Sequence, residues 1–205
     1  MAERGRPRRF DRQDALQKAM ELFWRRGYDG ASVADLTGAM GINSPSLYAC
    51  FGSKEELFRE AVTLYGETDG SLTRRALCEQ PTARGAVEAM LRDNAQAFVR
   101  PGRPTGCMVT LAAPTGSAQS DTVCEFLAEL RRQARSALAD RLARGLRDGD
   151  LPAGTDIAAL TDFYSTVLHG LSIQARDGAG PATMRAVVDS AMMAWDALVA
   201  RRAAV

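Results

Sequence analysis

Two stretches and one isolated cysteine of this chain carry side chains suited to binding or reaction. The first stretch is Ser44-Pro45-Ser46-Leu47-Tyr48, followed by Lys54. Two hydroxyls, an apolar ring and a phenol crowd into five residues. On the N-terminal half of a helix such a set suits the edges of DNA bases: serine donates or accepts, and proline can touch a thymine methyl. Tyr48 and Lys54 suit phosphates, Lys54 especially because it stands at a helix start, where anions are favoured. Leu47 and Phe51 fall on the core-facing side by their spacing. Ser32, at another helix start, can take a phosphate, and Thr37 can reach the same groove from the preceding helix.

The second stretch is the N-terminus. Arg4, Arg6, Arg8, Arg9 and Arg12 face only Glu3 and Asp11, although the 205-residue chain has a net charge of only +1. Any affinity for a polyanion must therefore be local. Arginines around a glycine, as in Arg4-Gly5-Arg6-Pro7, can lie in a narrow A·T-rich minor groove. The alternative is a basic tail that adds only salt-dependent phosphate contacts.

Other chemistries find little support. Cys50, Cys78, Cys107 and Cys124 form no CxxC pair, and His169 is the one histidine, so neither a metal site nor a disulfide framework is expected. There is no Ser/His/Asp set and no phosphate loop, so no catalysis and no cofactor are expected. No apolar run approaches the length of a membrane span, and the basic N-terminus lacks a signal-peptide core, which points to the cytoplasm. At 46% hydrophobic and 25% charged, the chain has enough apolar mass for a packed core.

The elements that would position these residues read as helices almost throughout, so the expected fold class is all-α. A helix over about residues 12–26 stops at Gly27. Ser32 caps one over 33–40, and Gly41 stops it. Asn43 or Ser44 caps the next, with Pro45 in its first turn, and Ser53 with Glu56 starts a fourth. Two short helices around Gly41-Ile42-Asn43 make a helix-turn-helix. Further helices are expected over 82–99, 105–113, 120–147, 155–176 and 181–202. Residues 1–9 form the arm, 10–52 the DNA-binding domain and 53–205 a second domain.

Ala31-Ser32-Val33, Gly41-Ile42, Leu47-Tyr48, Phe51 and Ser53-Lys54-Glu55-Glu56-Leu57 resemble the TetR family of repressors across residues 10–60. The resemblance implies a homodimer on a near-palindromic operator, released when a small-molecule effector enters the C-terminal domain. Candidate pocket residues are Tyr65, Met90, Phe98, Met108, Leu111, Phe126, Leu130, Phe163 and His169, with Asn94 and Asp162 as polar anchors; ordinary core packing is the alternative for each. Methionines and aromatics suit a bulky apolar or planar molecule, and a cation if Asp162 or Glu125 faces inward. Gly106-Cys107 also resembles a segment of electrophile-sensing members, which implies a thiol-based sensor as an alternative to a buried structural thiol. The expected dimer face is Leu160, Tyr164, Val167 and Leu171 with Met184, Val188, Ala191, Trp195 and Leu198, two apolar stripes that could form a four-helix bundle with their copies.

Overall fold

The computed structural model describes residues 11–113 and 121–200, and contains no strand among them. Four helices come first: α1 (Arg12–Gly30), α2 (Val33–Met40), α3 (Ser44–Phe51) and α4 (Lys54–Glu67). A 3-10 turn leads to α5 (Leu72–Glu79) and α6 (Ala83–Phe98). Then follow α7 (Met108–Leu111), α8 (Asp121–Arg147), α9 (Ile157–Arg176), α10 (Pro181–Met193) and α11 (Trp195–Ala200).

Local chemistry sets the first boundaries. The Asp11 carboxylate accepts from the Gln13 and Asp14 N–H groups and starts α1. Gly27, at φ 71°, breaks the helical path, yet the chain turns helical again as far as Gly30. The break lets the Tyr28 N–H reach the Ala112 carbonyl at 3.3 Å, across to the end of α7. Ser32 and Asp35 cap α2 reciprocally, and Gly41 closes it in the left-handed conformation. Thr82 caps α6, and Asp156 caps α9.

Two apolar cores result. One joins Leu16, Met20, Phe23, Leu36, Leu47 and Phe58 of α1–α4 to Met108 of α7 and to Val123 and Leu127 of α8. Packing therefore runs on past residue 52. The other core gathers α5, α6, the second half of α8, α9, α10 and Trp195. Cys107 packs against both.

Much of the expected dimer stripe falls inside this second core. Leu160, Tyr164, Leu171, Met184, Val188, Ala191 and Trp195 are buried within the single chain, and Val167 and Leu198 pack half-buried against them. Tyr164 donates to the Ala191 carbonyl at 3.2 Å, and burial lifts its phenol pKa to about 12. The large apolar side chains that α9 and α10 leave exposed are instead Ile173, Val187 and Met193.

Candidate nucleic-acid interface and cavity

The surface of α3 is built from its start. The Asn43 side chain accepts from the Ser46 N–H at 2.9 Å, and Pro45 occupies the first turn. Leu47 and Phe51 are sunk in the core, which fixes the helix roll. That roll leaves Ser44 and Pro45 exposed, Ser46 half-exposed and Tyr48 49% exposed. Among the described residues, the hydroxyls of Ser44, Ser46 and Tyr48 make no hydrogen bond. Arg12 holds the far end of α3: its guanidinium lies 4.5 Å over the Phe51 ring, donates to the Cys50 carbonyl and pairs with Glu60 at 2.7 Å.

Lys54 opens α4, and Ser53 accepts from the Glu56 N–H to cap it. The Lys54 ammonium sits 4.3 Å over the Tyr28 ring. Burial lowers its pKa, and the nearby Asp29 charge opposes that fall.

A cavity of about 880 Å³ opens between α4, α5, α6, α7, α8 and α9. At one end its wall carries Tyr65, Phe98, Cys107, Val109, Phe126, Leu130 and His169, with Arg131 donating to the Val109 carbonyl at 2.9 Å. At the other end stand Arg74, Leu77, Arg141, Arg144 and Arg147, with Asp140 the one lining carboxylate among the described residues. Burial, and next the Cys107 side chain bonded to it, lift the Tyr65 phenol pKa well above its ordinary value. Burial and then the Arg131 charge lower His169, so its ring is neutral near pH 7.

The family model described as "Bacterial regulatory proteins, tetR family" matches residues 15–61. The chain is 32% identical over 197 residues to the HTH-type transcriptional repressor ComR of Escherichia coli K12, covering 96% of this chain and 94% of that protein. It belongs to the TetR family.

Other relatives agree with that membership. The E. coli K12 repressor BdcR is 33% identical over 174 residues, covering 85% of this chain and 83% of that one. The fold matches a solved structure of the TetR family transcriptional regulator CifR, a cysteine mutant complexed with 26-bp double-strand operator DNA. The TM-score is 0.89 at 48% identity, over 93% of this chain and 100% of that one.

Within this TetR-family chain the expected site residues divide. Ser44, Pro45, Ser46 and Tyr48 share the exposed side of α3. Thr37 is buried, and its hydroxyl donates to the Val33 and Ala34 carbonyls, so it is turned away from any groove. Ser32 is exposed, but its hydroxyl donates to Asp35 at 2.5 Å, and that carboxylate already occupies the α2 start beside Arg26. Arg4 and Arg6 lie outside the described residues.

Of the expected pocket set, Tyr65, Asn94, Phe98, Phe126, Leu130 and His169 line the cavity. Met90 and Met108 do not; they are fully buried, one in each core. Leu111 packs beside Gly106, and Phe163 meets Tyr164 edge-on at 5.0 Å. Asp162 is exposed and pairs with Arg135 at 2.6 Å, while Glu125 pairs with Arg132 at 2.5 Å. Neither carboxylate of the expected cation anchor lines the cavity. Sequence reading missed the arginine end, although Arg141, Arg144 and Arg147 recur at a spacing of three on α8 and so share a face.

Proposed function

We propose that this chain is a transcriptional repressor that binds a near-palindromic operator as a homodimer and leaves it when a small molecule fills the cavity. One observation carries the reading. Burial of Leu47 and Phe51 turns Ser44, Pro45, Ser46 and Tyr48 outward together, with their hydroxyls unspent. That is the presentation a recognition helix needs in a major groove. Lys54 supplies a flanking cation for a phosphate. Ile173, Val187 and Met193 are the apolar side chains available to a second copy on α9 and α10.

The test is a gel shift with DNA from upstream of the chain's own gene. Wild type is expected to shift it at nanomolar concentration in moderate salt. A Ser46→Ala/Tyr48→Ala double variant with native circular dichroism is expected to lose the sequence preference. Equal binding of unrelated DNA by the wild type would sink the reading.

A second reading keeps the same fold and makes Cys107 the trigger. It is favoured by the position of Cys107, a free and half-buried thiol on the cavity wall beside Tyr65. Treatment with a quinone, followed by mass spectrometry and a gel shift, tests it. An unmodified Cys107 together with released DNA would exclude it.

A further inference from the structure

The arginine end of the cavity has a feature that the apolar end does not explain. Arg141 is only 5% exposed. Its Nη2 donates to the Gln80 carbonyl at 3.2 Å, but its Nε is buried with no acceptor. Among the described residues no ion pair holds Arg141, nor its neighbour Arg144, which reaches only the Leu77 carbonyl at 3.4 Å. A buried guanidinium without a carboxylate is costly, and a second cation beside it raises that cost. Burial, and next Arg144, pull the Arg141 pKa down, and the more remote charges of Asp150 and Asp148 offset this only in part. An anion delivered from solution would relieve both.

The rest of the trough restricts what else the anion carries. Phe126, Leu130, Ala134, Ala137 and Arg141 follow one another along the lining side of α8. Phe126 to Arg141 is about 22 Å at the helical rise. The wall is thus long, mainly apolar at the Phe126 end, where Arg131 donates to the Val109 carbonyl, and richest in cations at the end of Arg141, Arg144 and Arg147. A compact planar molecule would occupy only part of it.

Resting on the reading of this cavity as the effector site, we propose that the effector is an elongated amphiphilic anion. Its carboxylate or phosphate head sits on Arg141 and Arg144, and its apolar chain runs along α8 toward Phe126 and Leu130. Bidentate bonding to a guanidinium gives the head both energy and direction, and the chain adds apolar burial.

Laurate, dodecyl phosphate and dodecanol separate the head from the chain. Binding to the full-length protein is read by calorimetry and by the melting temperature. One or both anions are expected to bind about tenfold or more tightly than dodecanol, as charge-assisted bonds in a partly desolvated site should. The tighter of the two anions identifies the head. Arg141→Met and the exposed Arg144→Gln are each expected to remove most of that preference while leaving dodecanol binding in place. Dodecanol matching the anions would overturn the proposal, and so would wild-type laurate affinity in both variants. So would dodecyltrimethylammonium binding better than laurate. A ligand-free gel shift on the same samples tests the repressor reading separately: a normal shift without anion preference rejects this inference alone, and anion preference without a shift rejects only the repressor.

Discussion

Tyr48 combines wide exposure with a hydroxyl that bonds to nothing among the described residues. Removing that hydroxyl alone, in Tyr48→Phe, should leave the melting temperature unchanged and weaken operator binding by the net worth of one hydrogen bond, about 0.5–1.5 kcal/mol. Fluorescence anisotropy on labelled operator measures it, and equal affinity would put Tyr48 outside the contact surface. Arg141 behaves oppositely. Its charge is buried and held by no ion pair among the described residues, so Arg141→Met is expected to raise ligand-free stability by about 1 kcal/mol. A lower denaturant midpoint would show that the Gln80 hydrogen bond outweighs the charge. The residues proposed for the reading surface stand out in the sequence because serine, proline and tyrosine announce their chemistry by type. The orientation of Thr37 is not legible there, since a threonine on a helix can turn its hydroxyl back onto its own backbone, and only packing decides whether it does.

At the scale of elements, caps were the readable features. Gly41, Asn43, Pro45 and Ser53 act within a few residues, so the spacing alone located α2, α3 and the start of α4. α5 escaped because its apolar positions are few and two arginines interrupt them. Long apolar stripes located α9 and α10 but did not say what they cover. A helix buried against its own chain and one buried against a copy show the same period, and here the monomer's core took Leu160, Leu171, Met184 and Val188. The same ambiguity mixed Met90 and Met108 with true cavity wall. One junction between elements is sharply testable. Gly106, at φ 72°, brings its backbone so close that an added Cβ would stand 2.4 Å from Leu111 Cδ1 and 2.6 Å from the Ser172 carbonyl oxygen. Its own carbonyl accepts from the buried Trp24 Nε1 at 3.1 Å, and the next N–H donates to Ser172 Oγ at 2.8 Å. Gly106→Ala is expected to cost about 2 kcal/mol or more through the left-handed backbone and the clash. Chemical denaturation reads the loss, and an unchanged midpoint would mean the loop shifts freely.

For the whole molecule, pH and salt probe separate ends. His169 has a lowered folded-state pKa, so the unfolded chain takes up its proton first as pH falls. Its contribution is complete above the ordinary histidine value and declines below about pH 6.5. The melting temperature of the wild type should therefore fall more steeply between neutral and mildly acid pH than that of His169→Gln. Parallel curves would remove the burial argument. Deleting residues 1–9 is expected to weaken operator binding and flatten its dependence on salt, by about one unit of log–log slope for each phosphate that the arm neutralises. An unchanged slope would take the arm out of the complex.

The short helix α7 stands between the cavity and α1. Cys107, Val109 and Thr110 form part of the cavity wall, while Gly106 and Ala112, on either side, hold Trp24 and Tyr28 of α1. If the molecule in the cavity acts through this clamp, the two occupancies share one free energy, and the exchange runs in both directions. Operator must then weaken effector binding by the same factor by which effector weakens operator binding. Effector affinity measured on free protein would overstate the sensitivity of the DNA-bound form, and a cell carrying extra operator copies would need more effector to clear each one.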